Sequence, residues 1–327
     1  MDAMTSAERE WLRKLTTGRG AGKQEQTAPL ATTMRTEVKK SGTRHGRGLG
    51  DVAGMDDVKK LVTEGFINVL DNRDCAEAFG IKPPSILLYG PPGCGKSFFV
   101  EKLSEQLNIC YMKIVPDDLA STLVHGTQEK IGQVFRNAER KAPTLLFFDE
   151  FDAMVPHRSN DDRNYQNGEV NEFLCMLNNA PERDVYVVAA TNRPQCIDRS
   201  VLRTGRFSEL VFVDMPDARA RESLFRLELS RLPADENIDF MRLADMTKGY
   251  NCSDISYIVK VASRKMFNDS IREKDKPYKV ITQELLEATV SSRSPSVSTR
   301  ELREYGRLRG EFSPKGNGST ATIGFHV

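Results

Sequence analysis

Residues 90–97 read Gly-Pro-Pro-Gly-Cys-Gly-Lys-Ser and follow a short apolar run, Ile86-Leu87-Leu88-Tyr89. Beyond them, Phe98, Phe99, Leu103 and Leu107 recur at helical spacing over 97–107. A strand, a Gly-rich turn and a helix in immediate succession make a phosphate-binding loop. Its glycines let backbone N–H groups converge on β- and γ-phosphates. Lys96 adds a point charge, and the Ser97 hydroxyl is a ligand for Mg²⁺. This segment predicts a nucleoside triphosphate site, with Gly90, Pro92, Gly93, Cys94, Gly95, Lys96, Ser97 and Phe98 as the nucleotide-contacting residues.

The chain has 327 residues and a formal net charge of +1. That length supports a substantial core and two domains. The charge predicts no global attraction to nucleic acid or to a membrane surface. Apolar stretches such as 185–190 fall far short of the ~20 residues of a membrane helix. Residues 1–11 lack the apolar core of a signal peptide. The six cysteines have no metal-ligand spacing and read as reduced thiols of a cytoplasmic protein. Cys94 reads as a small loop residue, with oxidation or alkylation as its sharper alternative.

Residues 1–47 read as a flexible extension. A short helix over 6–15 leads into a Gly-, Thr- and Lys/Arg-rich linker with little apolar content. From residue 48 to 214, strand-like runs at 86–89, 109–114, 144–148, 185–190 and 210–213 alternate with helical patterns such as 127–141 and 169–177. Such alternation predicts an α/β fold, a parallel sheet covered by helices on both faces. Residues 215–312 read as helices only, at 217–232, 238–246, 252–268, 282–291 and 298–312. Ser298 and Glu301 form a capping box for the last of them. The Gly/Ser/Thr-rich stretch 313–327 reads as disordered.

Three segments after the loop carry chemistry. The strand Thr144-Leu145-Leu146-Phe147-Phe148 ends in Asp149-Glu150. Charge at the end of a buried strand is costly and calls for a function. Asp149 completes the Mg²⁺ shell and Glu150 acts as general base toward the attacking water. The apolar run 185–190 ends in Thr191-Asn192, and Asn192 is a candidate for holding that water or the γ-phosphate. Residues 198–207 carry Arg203 and Arg206 three apart, candidates for neutralising charge on the γ-phosphate of a neighbouring subunit.

In this order, the loop, the acidic strand, Thr-Asn and the paired arginines closely resemble the AAA family of ATPases, over roughly residues 49–312. Within it the chain is similar to the second ring of valosin-containing protein and to the katanin and spastin group. Asp51-Val52-Ala53-Gly54 resembles the family's opening motif, which implies adenine contacts at Asp51 and Ala53. Residues 78–84 resemble the lead-in to the loop strand, and 189–194 with 202–207 resemble the second region of homology. There Asn192 falls at the first sensor, and Arg203 and Arg206 at the arginine fingers. Residues 249–254 resemble the lid motif over ribose and adenine, with Ser253 near the ribose. Pro295-Ser296-Val297-Ser298, Leu302 and Tyr305 resemble the start of the relatives' C-terminal helix.

The resemblance implies a P-loop NTPase fold, a doubly wound parallel sheet with a C-terminal helical lid, ATP and Mg²⁺ as ligands, and a homo-oligomeric ring, usually a hexamer, with fingers acting in trans. It implies remodelling of a protein substrate through a central pore. Three departures stand out. The first pore loop aligns with Leu123, Val124 and His125, aliphatic where an aromatic residue is usual. Leu177-Asn178-Asn179 replaces Met-Asp-Gly, and Cys252-Ser253 replaces Gly-Ala. The aliphatic pore loop keeps a second expectation open: an ATP-gated assembly module with slow hydrolysis and no threading. A GTPase is disfavoured, because no Asn-Lys-x-Asp motif is present.

Overall fold

The computed structural model describes residues 38–39, 48–120, 126–155, 165–198, 200–202, 206–273 and 278–312. Six strands form one sheet: β1 (Val38–Lys39), β2 (Ile86–Tyr89), β3 (Cys110–Ile114), β4 (Thr144–Phe148), β5 (Val185–Thr191) and β6 (Glu209–Phe212). Their spatial order is β1-β3-β4-β5-β2-β6. All neighbours pair in parallel except β1, which adds antiparallel to β3 through Val38 opposite Met112. This edge pair falls within the segment read from sequence as an extension. Its two residues carry no apolar pattern that would announce a strand.

Every residue of β2, β4 and β5 is buried. Uninterrupted apolar strands of this kind need cover on both faces. Consecutive residues Phe147 and Phe148 supply it in opposite directions. Phe147 belongs to a core with Phe66, Phe99, Val100, Leu103 and Tyr111. Phe148 meets Phe135, Phe151 and Phe173 at ring-centroid distances of 6.0, 6.2 and 5.1 Å. The first core draws on α1 (Asp56–Val62), the widened turn after it and α4 (Lys96–Leu107). The second draws on α6 (Gly126–Glu139), α7 (Phe151–Met154) and α8 (Tyr165–Asn179). Three short helices complete this part: α2 (Asn68–Asp71), α3 (Arg73–Ala78) and α5 (Pro116–Leu119).

Beyond β6 come α9 (Ala218–Leu229), α10 (Phe240–Met246), α11 (Cys252–Glu273), α12 (Gln283–Ser291) and α13 (Thr299–Phe312). The side chain of Asp217 caps α9 by accepting from Ala220 N at 2.7 Å. Ser298 and Glu301 make the reciprocal box expected at α13, with bonds of 2.7 and 3.2 Å. Phe225, Leu243, Ile255, Ile258, Val259 and Leu286 form a separate helical core. One feature there is not helical: Ala234 and Ile281 form a parallel bridge between the loops before α10 and α12. α13 leaves this core and lies against the sheet end. Phe312 meets Tyr89 at 5.5 Å, and Arg309 reaches Asp214 at 3.3 Å. The architecture is the α/β sheet with a helical C-terminal region expected from the alternation. Among the described residues, no helix is long and apolar enough to cross a membrane.

Candidate nucleotide site

The glycine loop leaves the C-terminal end of β2, flanked by β5 and β6. The chain passes from β2 to β3 in one direction and from β5 to β6 in the other. The loop therefore lies at the reversal point where open α/β sheets form their ligand crevice. Two glycines are required by space. A Cβ on Gly90 would lie 2.1 Å from the Val213 carbonyl oxygen, and one on Gly93 would lie 2.4 Å from Asn251 Nδ2. Gly93 also has φ of 73°, a left-handed backbone that glycine adopts without strain.

Lys96 begins α4 and is buried. Its Nζ donates to the carbonyls of Gly90 and Pro91 at 2.9 and 2.8 Å. Burial pulls its pKa down to about 8, against the opposing effect of Cys94, Asp149 and Asp152. Ser97 Oγ donates to Asp149 Oδ2 at 2.8 Å, joining the loop to the end of β4. A hydroxyl and a carboxylate side by side are hard oxygen donors, and they fit Mg²⁺. Among the described residues, no cluster of three or more His, Cys, Asp or Glu offers another metal site.

Glu150 follows at φ 52°, an uncommon conformation for a glutamate. Its N–H donates to Asp149 Oδ1 at 3.1 Å, and its own side chain is exposed at the start of α7. β5 brings Thr191 and Asn192 to the same sheet end, next to the loop strand. Thr191 Oγ1 donates to Asp152 Oδ1 at 2.6 Å and accepts from Arg193 N at 2.8 Å. The Asn192 carbonyl accepts from Tyr305 OH of α13 at 2.7 Å.

The helical region closes on the loop through Asn251 and Ser253. Asn251 Nδ2 donates to the Pro92 carbonyl at 3.0 Å, and Ser253 N donates to the Gly93 carbonyl at 3.1 Å. Asp51 closes the short 3₁₀ turn before α1 and lies 3.9 Å from Lys102 Nζ of α4. Ala53 is half-buried beside it, and Phe98 is exposed with Lys102 over its ring at 5.5 Å. Cys94 is buried against Met215. Burial, then the neighbouring Cys252, push its thiol up to about 12, which argues against the reactive alternative.

Arg206 behaves differently. It precedes β6, whose Glu209 pairs with Ile86 at the start of β2. It lines a shallow cavity with Lys82, Pro84 and Ser208, at the N-terminal edge of the sheet. The glycine loop leaves the opposite edge. The Arg206 guanidinium donates to the Ser200 carbonyl. Arg203 and the pore-loop candidates Leu123, Val124 and His125 lie outside the described residues.

The motif reading named no role for Lys113, Asp152, Asn251 or Tyr305. Lys113 Nζ of β3 lies 2.7 Å from Asp149 Oδ2. A lone polar residue in an apolar strand was the only sequence signal for it. Asn251 and Tyr305 stand within recognised motifs, but what they touch lies in distant segments.

Residues 86–215 match the family described as "ATPase family associated with various cellular activities (AAA)". The chain is 30% identical over 274 residues to a cell division cycle protein 48 homologue of Archaeoglobus fulgidus, covering 80% of this chain and 37% of that protein. It is 29% identical over 269 residues to cell division control protein 48 homologue C of Arabidopsis thaliana, covering 79% and 33% respectively. It is 30% identical over 265 residues to protein CdcH of Halobacterium salinarum, covering 80% and 35%. The chain thus spans about a third of the length of the curated relatives it matches.

Proposed function

The chain carries a domain of the AAA family of ATPases, and on that premise we propose that it hydrolyses ATP as a homo-oligomeric ring, a hexamer, that remodels protein substrates. The observation that carries the reading is the bond from Ser97 to Asp149 at the mouth of the glycine loop. It brings together two oxygen donors for a Mg²⁺·triphosphate, with an exposed carboxylate, Glu150, one residue beyond.

In this reading the loop N–H groups hold the phosphates, and Lys96 leaves the carbonyls of Gly90 and Pro91 to meet them. Ser97 and Asp149 would hold Mg²⁺, which would offset the charge of the phosphates. Glu150 takes the proton of the attacking water as its oxygen bonds to the γ-phosphorus and the bond to the ADP oxygen breaks. Asn192 orients that water from the end of β5. Asp51, Ala53 and Ser253 line the base and ribose side. Arg203 and Arg206 serve the neighbouring subunit's nucleotide. The position of Arg206 at the far edge of the sheet supports action in trans. Removal of that charge costs ~10³–10⁵-fold in turnover. Arg206→Ala is therefore expected to abolish measurable hydrolysis while ATP still binds, and normal turnover would remove its role.

The test of the whole reading is the mass of a Glu150→Gln variant with and without ATP, by light scattering. A shift to about six subunits supports the ring. An ATP-bound monomer at high concentration overturns it. A ring that hydrolyses ATP but leaves a tagged folded protein intact favours the assembly-module alternative.

A further inference from the structure

Lys113 has no part in the chemistry described above, yet it ends on the carboxylate at its centre. The register of β3 and β4 sets Lys113 opposite Phe147. Alternation along β4 turns Phe147 and Asp149 to the same side of the sheet. The Lys113 stem therefore runs along the Phe147 ring, with Nζ 5.9 Å from its centroid, and reaches Asp149 Oδ2 at 2.7 Å. The pair is shielded: the two side chains are 31% and 19% exposed. It is therefore less screened than a surface ion pair.

A carboxylate oxygen has two lone-pair directions. Oδ2 accepts from Ser97 Oγ at 2.8 Å and has the Lys113 ammonium 2.7 Å away as an ion pair. Oδ1 already accepts from Glu150 N at 3.1 Å. A hydrated Mg²⁺ approaching Asp149 must share this carboxylate with a fixed ammonium or displace it.

We propose that Lys113 is a built-in counter-ion for Asp149, one that steadies this carboxylate beside Ser97 in the absence of metal and that Mg²⁺ must compete with when nucleotide binds. This rests on the nucleotide reading of the site. Lys113 is a positioning residue here, since it acts on the metal-holding carboxylate and touches no reacting atom. It sets how much free Mg²⁺ the site needs.

The test titrates free Mg²⁺ against the full chain with mant-ADP, a fluorescent nucleotide that is not hydrolysed. Removing a unit charge this close to an ion is worth on the order of tenfold in the ion's affinity. Lys113→Met and Lys113→Gln are expected to lower the half-saturating Mg²⁺ about tenfold. Lys113→Arg, which keeps the charge, is expected to stay near wild type. Binding of mant-ADP in EDTA reports that each variant is folded, and two neutral variants guard against one failing to fold. An unchanged or raised Mg²⁺ midpoint in the neutral variants overturns the proposal. Equal shifts in the Arg and Met variants would also overturn it, because they would point to shape rather than charge. Failure of the wild-type chain to bind mant-ADP at all would instead bring down the nucleotide reading, and this inference with it.

Discussion

Asn251 is the residue through which the helical region grips the glycine loop, and its truncation has a calculable cost. Its side chain is 3% exposed. Nδ2 donates to the Pro92 carbonyl at 3.0 Å and to Ser296 Oγ at 2.9 Å, while Oδ1 accepts from Asp254 N at 2.8 Å. The last bond caps the first turn of α11, a contribution of ~1 kcal/mol. The first two hold α11 to the loop. A lost hydrogen bond at a partly exposed group costs ~0.5–1.5 kcal/mol. Ser296 Oγ keeps its bond to Asp254 at 3.0 Å, and the carbonyl of exposed Pro92 keeps only the weak contact from Cys94 Sγ at 3.8 Å. Asn251→Ala should therefore lose about 1.5–2.5 kcal/mol, read by urea unfolding followed by circular dichroism. Asn251→Ser keeps a capping oxygen but not the reach to Pro92, and should lose about 1 kcal/mol less.

A second substitution sharpens the argument. A Cβ on Gly93 would lie 2.4 Å from Asn251 Nδ2, at a backbone φ of 73°. Gly93→Ala should cost ~1–2 kcal/mol for its backbone alone and more for the overlap. With Asn251 already alanine the overlap disappears, so the two changes should cost less together than their sum. Additive costs would refute this account of the clamp, as would an Asn251→Ala variant within about 0.5 kcal/mol of wild type.

Lys96 makes stability depend on pH in a definite direction. Its folded pKa lies at about 8, below the ordinary 10.5, so its buried charge is a full burden below pH 8. The folded state sheds the proton first as pH rises. The stability of the nucleotide-free chain relative to Lys96→Met should therefore rise between about pH 8 and 10.5, by up to about 3 kcal/mol. A flat difference across that window in chemical denaturation would contradict it. Cys94, raised from 9.0 to about 12, should carry about a thousandfold less thiolate than an ordinary thiol. Mass spectrometry after brief iodoacetamide treatment of the folded chain should then find Cys75 and Cys175, both exposed, modified and Cys94 spared. Tyr305→Phe removes the 2.7 Å bond to the Asn192 carbonyl. It should cost about 1 kcal/mol in stability and lower kcat for ATP more than it changes KM, as steady-state kinetics would show.

What was legible in the sequence has a common physical cause. β2 and β4 announce themselves because strands buried on both faces must be apolar at every position, so 86–89 and 144–148 stand out against a polar background. The caps Asp217 and Ser298 are legible because a capping side chain bonds to a backbone group three residues away. The glycine loop is legible because its conformation excludes side chains at fixed spacings. Strand order was not, since nothing local tells β5 to lie between β4 and β2; the crossover helices and the packing of two aromatic layers decide it. Yet that order is what brings Asn192 to the loop. The same division runs through the site. The sequence names the residues that face a nucleotide, and the fold names the residues that hold those in turn: Lys113 on Asp149, Asn251 on Pro92, Tyr305 on Asn192. Each of these pairs joins an element to one that is remote in sequence and adjacent only after folding. A motif can therefore survive with its chemistry retuned by a partner outside it. Lys113 is the sharpest case, because a single charge on β3 bears on a carboxylate that the motif treats as free for metal.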